Sequence, residues 1–352
     1  MFGTYQVDDV TILLKDITGL VTPLDTQTRE KRIQSGTHYS EMLPIEYEPS
    51  EKYMSIYRRA LQEYSAITAD AAASAAEKIW AAKGERAVLV SLARAGTSIG
   101  VLLKRYLKKK YGVDVAHYTI SIIRGKGIDH NAMRYILDRH RPQDIQFVDG
   151  WIGKGAIQRE LNSAVSCYPG VNPGLAVLSD PANVAEIYGT REDFLIASSC
   201  LNSVVSGLLS RTFLRHDVIG ENDFHGAVFY EELRDKDRTY EFIDAVEKHF
   251  RFDEAAGAHE DCTARNADGL AEAEQIAGAF GIHDINLVKP GIGETTRVLL
   301  RRVPWKILVH SLNDEKHLGH IYQLAREKGA DLVEYPLAHY KACGLIRSMA
   351  DQ

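Results

Sequence analysis

The sequence predicts an α/β protein, with a mostly parallel sheet and crossover helices followed by a smaller, separate α/β unit. Three observations carry this reading. Between residues 87 and 178, short apolar runs alternate with amphipathic stretches, the pattern of a parallel sheet crossed by helices. At 144–161, DIQFVDGWIGKGAIQREL, an apolar run (Ile145, Phe147, Val148) ends on Asp149. Gly150, Gly153 and Gly155 follow, with Lys154 among them, and then a helical pattern begins. The last 70 residues repeat the alternation on their own, as turn, helix, strand, helix, strand.

A chain of 352 residues has room for two or three domains. With 42 basic and 48 acidic residues its formal net charge is -6, which argues against a basic surface coating nucleic acid. Cys167, Cys200, Cys262 and Cys343 are scattered without a CxxC pair and read as reduced thiols, neither a disulfide framework nor a zinc site. No apolar run approaches the roughly 18 to 20 residues of a membrane span. The acidic start MFGTYQVDDV lacks a signal-peptide pattern, so a cytoplasmic protein is expected.

In order along the chain, 10–14 reads as a strand. A Pro-containing polar stretch follows, carrying His38, Tyr39, Ser40 and Glu41. Pro49 and Ser50 suggest a helix entry with apolar positions at Tyr53, Ile56, Tyr57 and Leu61, and a second, alanine-rich helix is expected over 68–83. Strands are expected at 87–92, 113–123 and 145–148, with helices at 97–111, 129–138 and 154–164. Residues 175–178 and 194–196 are expected to extend the sheet.

Ligands of such sheets sit beyond the carboxyl ends of the strands. Three loops occupy that edge. LARAGTSIG (92–100) supplies Ala93, Arg94, Ala95, Gly96 and Thr97; IRGKGID (123–129) supplies Arg124 and Lys126; the third holds Asp149, Gly150, Trp151, Ile152, Gly153, Lys154, Gly155 and Ala156. Glycines let main-chain N–H groups close on a ligand, and a helix start adds partial positive charge, so the loops suit a phosphorylated sugar. Together they resemble the loops of type I phosphoribosyltransferases. The resemblance implies a fold of that type and an enzyme that binds phosphoribosyl pyrophosphate, or a related nucleotide-like molecule, and transfers the ribosyl phosphate to a nitrogen base. Arg94, Arg124 and Lys126 would then neutralise pyrophosphate. Asp149 would meet the ribose and, indirectly, a magnesium ion held by the substrate. The family usually has two adjacent acids after the strand; here the second position is Gly150.

Two alternatives stand beside it: a non-catalytic nucleotide sensor acting on RNA, and a cysteine hydrolase. For the latter, Cys200 is expected near a helix start, where thiolate character rises, with His225 as its partner. The stretch DFLIASSCLNSVVSGLLSRTFLRHDVIGENDFHGAVFYEEL is unusual for a phosphoribosyltransferase. The N-terminal region resembles StiP-type cysteine proteases, also described as phosphoribosyltransferase-like proteins of tellurite-resistance stress gene clusters.

A boundary falls in the polar stretch DEAAGAHEDCTARNAD. It divides a first unit, 1–260, from a linker and helix, 261–281, and a last unit, 282–352. In that last unit GIGETTRVLLRR places Gly293, Glu294, Thr295, Thr296, Arg297 and Arg301 at a helix opening. This resembles the Pelota-type, kink-turn-binding ribosomal-protein fold, an α/β/α sandwich, and implies a structured RNA as partner. A homo-oligomer is compatible with all of these readings.

Overall fold

The computed structural model describes residues 2–252 and 269–346. In chain order the first part contains β1 (Thr11–Ile12), β2 (Lys15–Asp16), α1 (Thr26–Gln34), α2 (Glu51–Lys83), β3 (Val88–Leu92), α3 (Ala95–Tyr111) and β4 (Ala116–Ile120). The hairpin β5 (Ile122–Ile123) and β6 (Gly127–Ile128) follows, then α4 (His130–Leu137), β7 (Ile145–Val148), α5 (Ala156–Val165), β8 (Leu175–Ser179) and β9 (Ile187–Thr190). The short strand β10 (Gly226–Ala227) and α6 (Thr239–Glu247) complete this part. The second part runs α7 (Gly269–Ala279), β11 (Val288–Pro290), α8 (Ile292–Arg301), β12 (Pro304–Val309), α9 (Glu315–Lys328), β13 (Asp331–Glu334) and β14 (Ala342–Ile346).

Six strands form one parallel sheet in the order β1-β4-β3-β7-β8-β9. β3, β7 and β8 are buried along their whole length, as strands covered by helices on both faces must be. The chain steps outward from β3 to β4 and then returns past β3 to β7. The strand order therefore reverses between the loops that follow β3 and β7, where such sheets open a binding crevice. The mixed α/β architecture and its parallel sheet agree with the sequence.

Several elements differ from expectation. Residues 51–83 form one 33-residue helix instead of two, because nothing between them interrupts the ladder. The 113–123 strand divides into β4 and the edge of a hairpin. Residues 194–196 take no strand pairing, and the sheet is extended instead by β9. α3 begins at Ala95 and α5 at Ala156, two residues from where the sequence placed them.

The second part builds a four-stranded sheet, β11-β14-β12-β13, with two strands the sequence did not reveal, β11 and β14. α7 packs its Ala273, Ile276 and Ala277 against Val288, Leu308, Cys343 and Leu345, so it belongs to this unit. The two parts share apolar core. Tyr57, Ala60 and Tyr64 of α2 lie in one buried cluster with Leu299, Leu300, Leu318 and Ile321. Tyr64 also donates from its hydroxyl to the Lys316 carbonyl at 3.1 Å.

Candidate functional site

At the carboxyl edge of the large sheet a cleft of about 330 Å3 lies between the two parts. Its floor is the turn after β7, with Asp149, Trp151 and the 153–156 loop. Its walls are Tyr39, Arg124, Lys289, Glu294 and Arg297. Gly155 adopts a left-handed backbone (φ 75°) as N-cap of α5, the conformation that favours glycine. The Asp149 carboxylate accepts the Gly150 N–H at 2.8 Å. Burial pushes the Asp149 carboxyl up to about 6, against the pull of that hydrogen bond and of Arg297.

The expected loop residues separate on inspection. Asp149, Trp151, Ile152, Gly153, Lys154, Gly155, Ala156, Ala95 and Arg124 line the cleft. Gly96 and Thr97 instead serve the packing of α3 on the sheet: a Cβ on Gly96 would stand 2.5 Å from the Val148 carbonyl, and the Thr97 hydroxyl meets Thr119 at 2.7 Å. Arg94 turns to the Leu209 carbonyl and to Asn202 Oδ1, both at 3.0 Å. Lys126 lies 3.6 Å from Glu41 and lines a different cavity, of about 590 Å3. Arg94, Arg124 and Lys126 therefore do not converge as three pyrophosphate ligands.

Lys154 is also redirected. It donates to the Ile285 and Val288 carbonyls of the second part, and burial pushes it down to about 8. Tyr340 donates to the Gly153 carbonyl at 2.5 Å. The glycine-rich turn is thus roofed by the second part. Among the described residues no group of three or more His, Cys, Asp or Glu is placed to hold a metal.

The residues assigned to RNA face this same seam. Thr295 and Thr296 are buried; Thr296 bonds His320 at 3.0 Å. Arg297 donates to the Ser199 carbonyl at 3.1 Å, pairs with Glu294 at 3.2 Å and lies 4.6 Å over the Trp151 ring. Arg301 reaches the carbonyls of Cys200 and Leu201 at 3.4 and 3.3 Å. A Cβ on Gly293 would touch Ser199 and Trp151. The helix opening is occupied by the chain's own first part.

Cys200 closes a single 3-10 turn, Ala197–Cys200, so it does not enjoy the helix N-terminus expected from the sequence. Its thiol is fully buried, and burial pushes it up to about 12 although Arg301 and Arg297 pull it down. The pairing with His225 is not formed. His225 Nδ1 bonds Ser121 at 2.8 Å, its main-chain N–H donates to Asp129 at 2.5 Å, and its ring lines the larger cavity beside Lys126. Of the other described thiols, Cys343 is buried and Cys167 exposed; Cys262 lies outside the described residues.

Sequence reasoning passed over two residues that organise the seam. Asp193 accepts the Ile292 N–H at 2.9 Å and the Lys341 N–H at 2.9 Å, and so caps α8 from the opposite part of the molecule. Lys289, in the cleft wall, precedes the Pro290–Gly291 entry to α8, the one sequence signal that could have found it.

A family model described as "Tellurite-like stress resistance cysteine protease StiP" matches residues 3–247. The chain belongs to the StiP family. It is 34% identical to a protein of Acinetobacter baylyi named "Cysteine protease StiP", over 99% of this chain and 94% of that one. A second family model, described as "PELOTA RNA binding domain", matches residues 267–348, which places α7 with the last unit as the packing does. No solved structure matches. These findings overturn ribosyl-phosphate transfer as the expected activity: both the family and the relative carry a cysteine-protease description, and the loop arginines that the transfer needs do not converge. Among the described residues no helix is long and apolar enough to cross a membrane.

Proposed function

We propose that this chain is a thiol-dependent hydrolase of amide bonds, with the cleft as its substrate site and Cys200 as its nucleophile, in a closed form. The observation that carries the assignment is the pair of guanidiniums on the Ser199–Leu201 strip. Arg297 and Arg301 both donate to its carbonyls, both act on the Cys200 thiol, and Arg297 also lines the cleft. The family and the relative's name support the reaction class.

The physical obstacle is equally plain. A thiol raised to about 12 is protonated at neutral pH and is a poor nucleophile. Burial is the largest cause of that rise; water admitted to the strip removes it and leaves two cations that favour the thiolate. The thiolate would attack the amide carbonyl, expel the amine as it takes a proton, and leave an acyl thioester for water to hydrolyse. Asp149, a carboxyl pushed up to about 6, is the cleft group suited to carry that proton near neutrality. We read the sheet as phosphoribosyltransferase-like in scaffold alone, since chemistry is set by the site and not by the fold.

The test is peptide hydrolysis by the full chain and by four single variants, Cys167→Ser, Cys200→Ser, Cys262→Ser and Cys343→Ser. Loss confined to Cys200→Ser is expected. Loss confined to another variant, Cys262→Ser above all, overturns Cys200 as nucleophile. Hydrolysis that survives all four, or is absent from the parent chain, overturns the thiol-hydrolase reading.

A further inference from the structure

The charges that line the cleft do not cancel. Four are cations, Arg124, Lys154, Lys289 and Arg297, and two are acids, Asp149 and Glu294. Two of the cations are engaged: Arg297 pairs with Glu294 at 3.2 Å, and Lys154 donates to the Ile285 and Val288 carbonyls. Neither Arg124 nor Lys289 has a carboxylate within 4.0 Å among the described residues. Arg124 donates to Asn286 Oδ1 at 3.0 Å. Lys289 is half-buried, and its ammonium has no hydrogen-bond partner among the described residues. Burial holds Lys289 below the usual lysine range; Glu294 resists from farther off, and Arg124 adds to the fall.

Arg124 and Lys289 come from the two parts of the molecule and meet on one short strip. Asn286, which Arg124 holds, is three residues before Lys289, at most about 11 Å of main chain. Arg124 sits on a loop that is tied down: its N–H donates to the Tyr39 hydroxyl at 2.9 Å, and Glu160 of α5 accepts the N–H groups of Gly125 at 2.7 Å and Gly127 at 3.0 Å. A cation held this way loses little freedom on meeting a ligand. Size and charge then select the ligand. The cleft of about 330 Å3, roofed by the second part, has room for a side chain with its peptide groups and not for a folded partner. A multiply charged anion would set part of its charge against Asp149 and Glu294, whereas a single carboxylate needs only the two uncompensated cations.

We propose that Arg124 and Lys289 form a subsite for the carboxylate of an acidic side chain, so that the cleft selects peptides carrying Glu or Asp. Each would give that carboxylate a charge-assisted hydrogen bond. As a statement about substrates this rests on the hydrolase reading above. The subsite itself is a matter of binding, and it is tested apart from hydrolysis.

The probes are acetylated and amidated pentapeptides, Ala-Ala-X-Ala-Ala, in which X is Glu, Gln or Lys. Calorimetry at low salt measures their binding to the full chain carrying Cys200→Ser, or to the parent chain where the peptides are not cleaved. The Glu peptide is expected to bind about tenfold or more tightly than the Gln peptide, and the Lys peptide more weakly than either. The preference should shrink as salt rises. Lys289→Met and Arg124→Gln should each cut the Glu-to-Gln ratio to about threefold or less. Lys289→Arg, which keeps the charge, should retain most of it and serves if the methionine variant does not fold. Equal binding of the Glu and Gln peptides overturns the subsite. So does the absence of saturable Glu-peptide binding, or a ratio unchanged in both Lys289→Met and Arg124→Gln. A charge preference in binding with no peptide hydrolysed keeps the subsite and overturns the hydrolase reading; hydrolysis indifferent to X does the reverse.

Discussion

Lys154 shows how a residue can be read correctly as special and wrongly as to what it meets. Its place among three glycines before a helix suggested a phosphate partner, but its ammonium is spent on two main-chain carbonyls more than 130 residues away. Lys154→Met keeps most of the apolar stem and leaves those carbonyls without their donor, so a loss of about 1–3 kcal/mol is expected. Urea denaturation of the two proteins measures it; equal stability would mean the tether contributes nothing. A thiol prediction belongs at this scale too. In the closed form iodoacetamide should modify exposed Cys167 ahead of buried Cys200 and Cys343. Peptide mapping by mass spectrometry gives the order. What the sequence made legible here was local: Asp149 at a strand end, and a glycine-dependent turn at Gly155. What it hid was long-range, since no spacing pattern says that Arg94 turns to Leu209 or that His225 pairs with Ser121.

Among the elements, α2 organises the packing. Its run of alanines at 69, 71–73, 75 and 76 is buried, and small side chains let the sheet approach closely. The closest point is Gly189 in β9, where an added Cβ would lie 2.2 Å from the Ala71 carbonyl. Main chain cannot swing aside as a flexible side chain can, so Gly189→Ala should destabilise by about 1–3 kcal/mol. Gly278→Ala, in α7 with nothing within 4 Å, is the control, expected to be neutral or mildly stabilising. Comparable losses from both would refute the close-approach argument. This contact also explains why the sequence missed β9. Its four residues, IYGT, carry a glycine that weakens strand propensity but is needed for the fit to α2. The opposite error, at 194–196, came from an apolar run that is buried without pairing as a strand. Burial and strand pairing are separate demands, and composition reports only the first.

At the scale of the whole molecule, the two parts are joined by a shared core and by a carboxylate of one part that caps a helix of the other. Asp193 is buried, and burial pushes its carboxyl up to about 6 despite the N–H groups of Ile292 and Lys341 that favour its charged form. Its ordinary value is 3.8, so the folded chain binds this proton more tightly than the unfolded chain does. The linked stability is therefore fully present below about pH 4 and is lost as pH rises through about 6. A shift of that size corresponds to about 2–3 kcal/mol. Other groups titrate over the same range, so the informative quantity is a difference. The stability of the parent chain minus that of Asp193→Asn should fall by up to about 2–3 kcal/mol between pH 4 and pH 7, because asparagine keeps a carbonyl acceptor but cannot ionise. Chemical denaturation of both proteins at several pH values measures it. A difference that is flat across this range would show that solvent or rearrangement at the seam relieves the burial of Asp193. A difference that rises with pH would show that the cap favours the charged carboxylate more than burial opposes it, and the two parts would then be held together by an ion–dipole contact that strengthens toward neutrality.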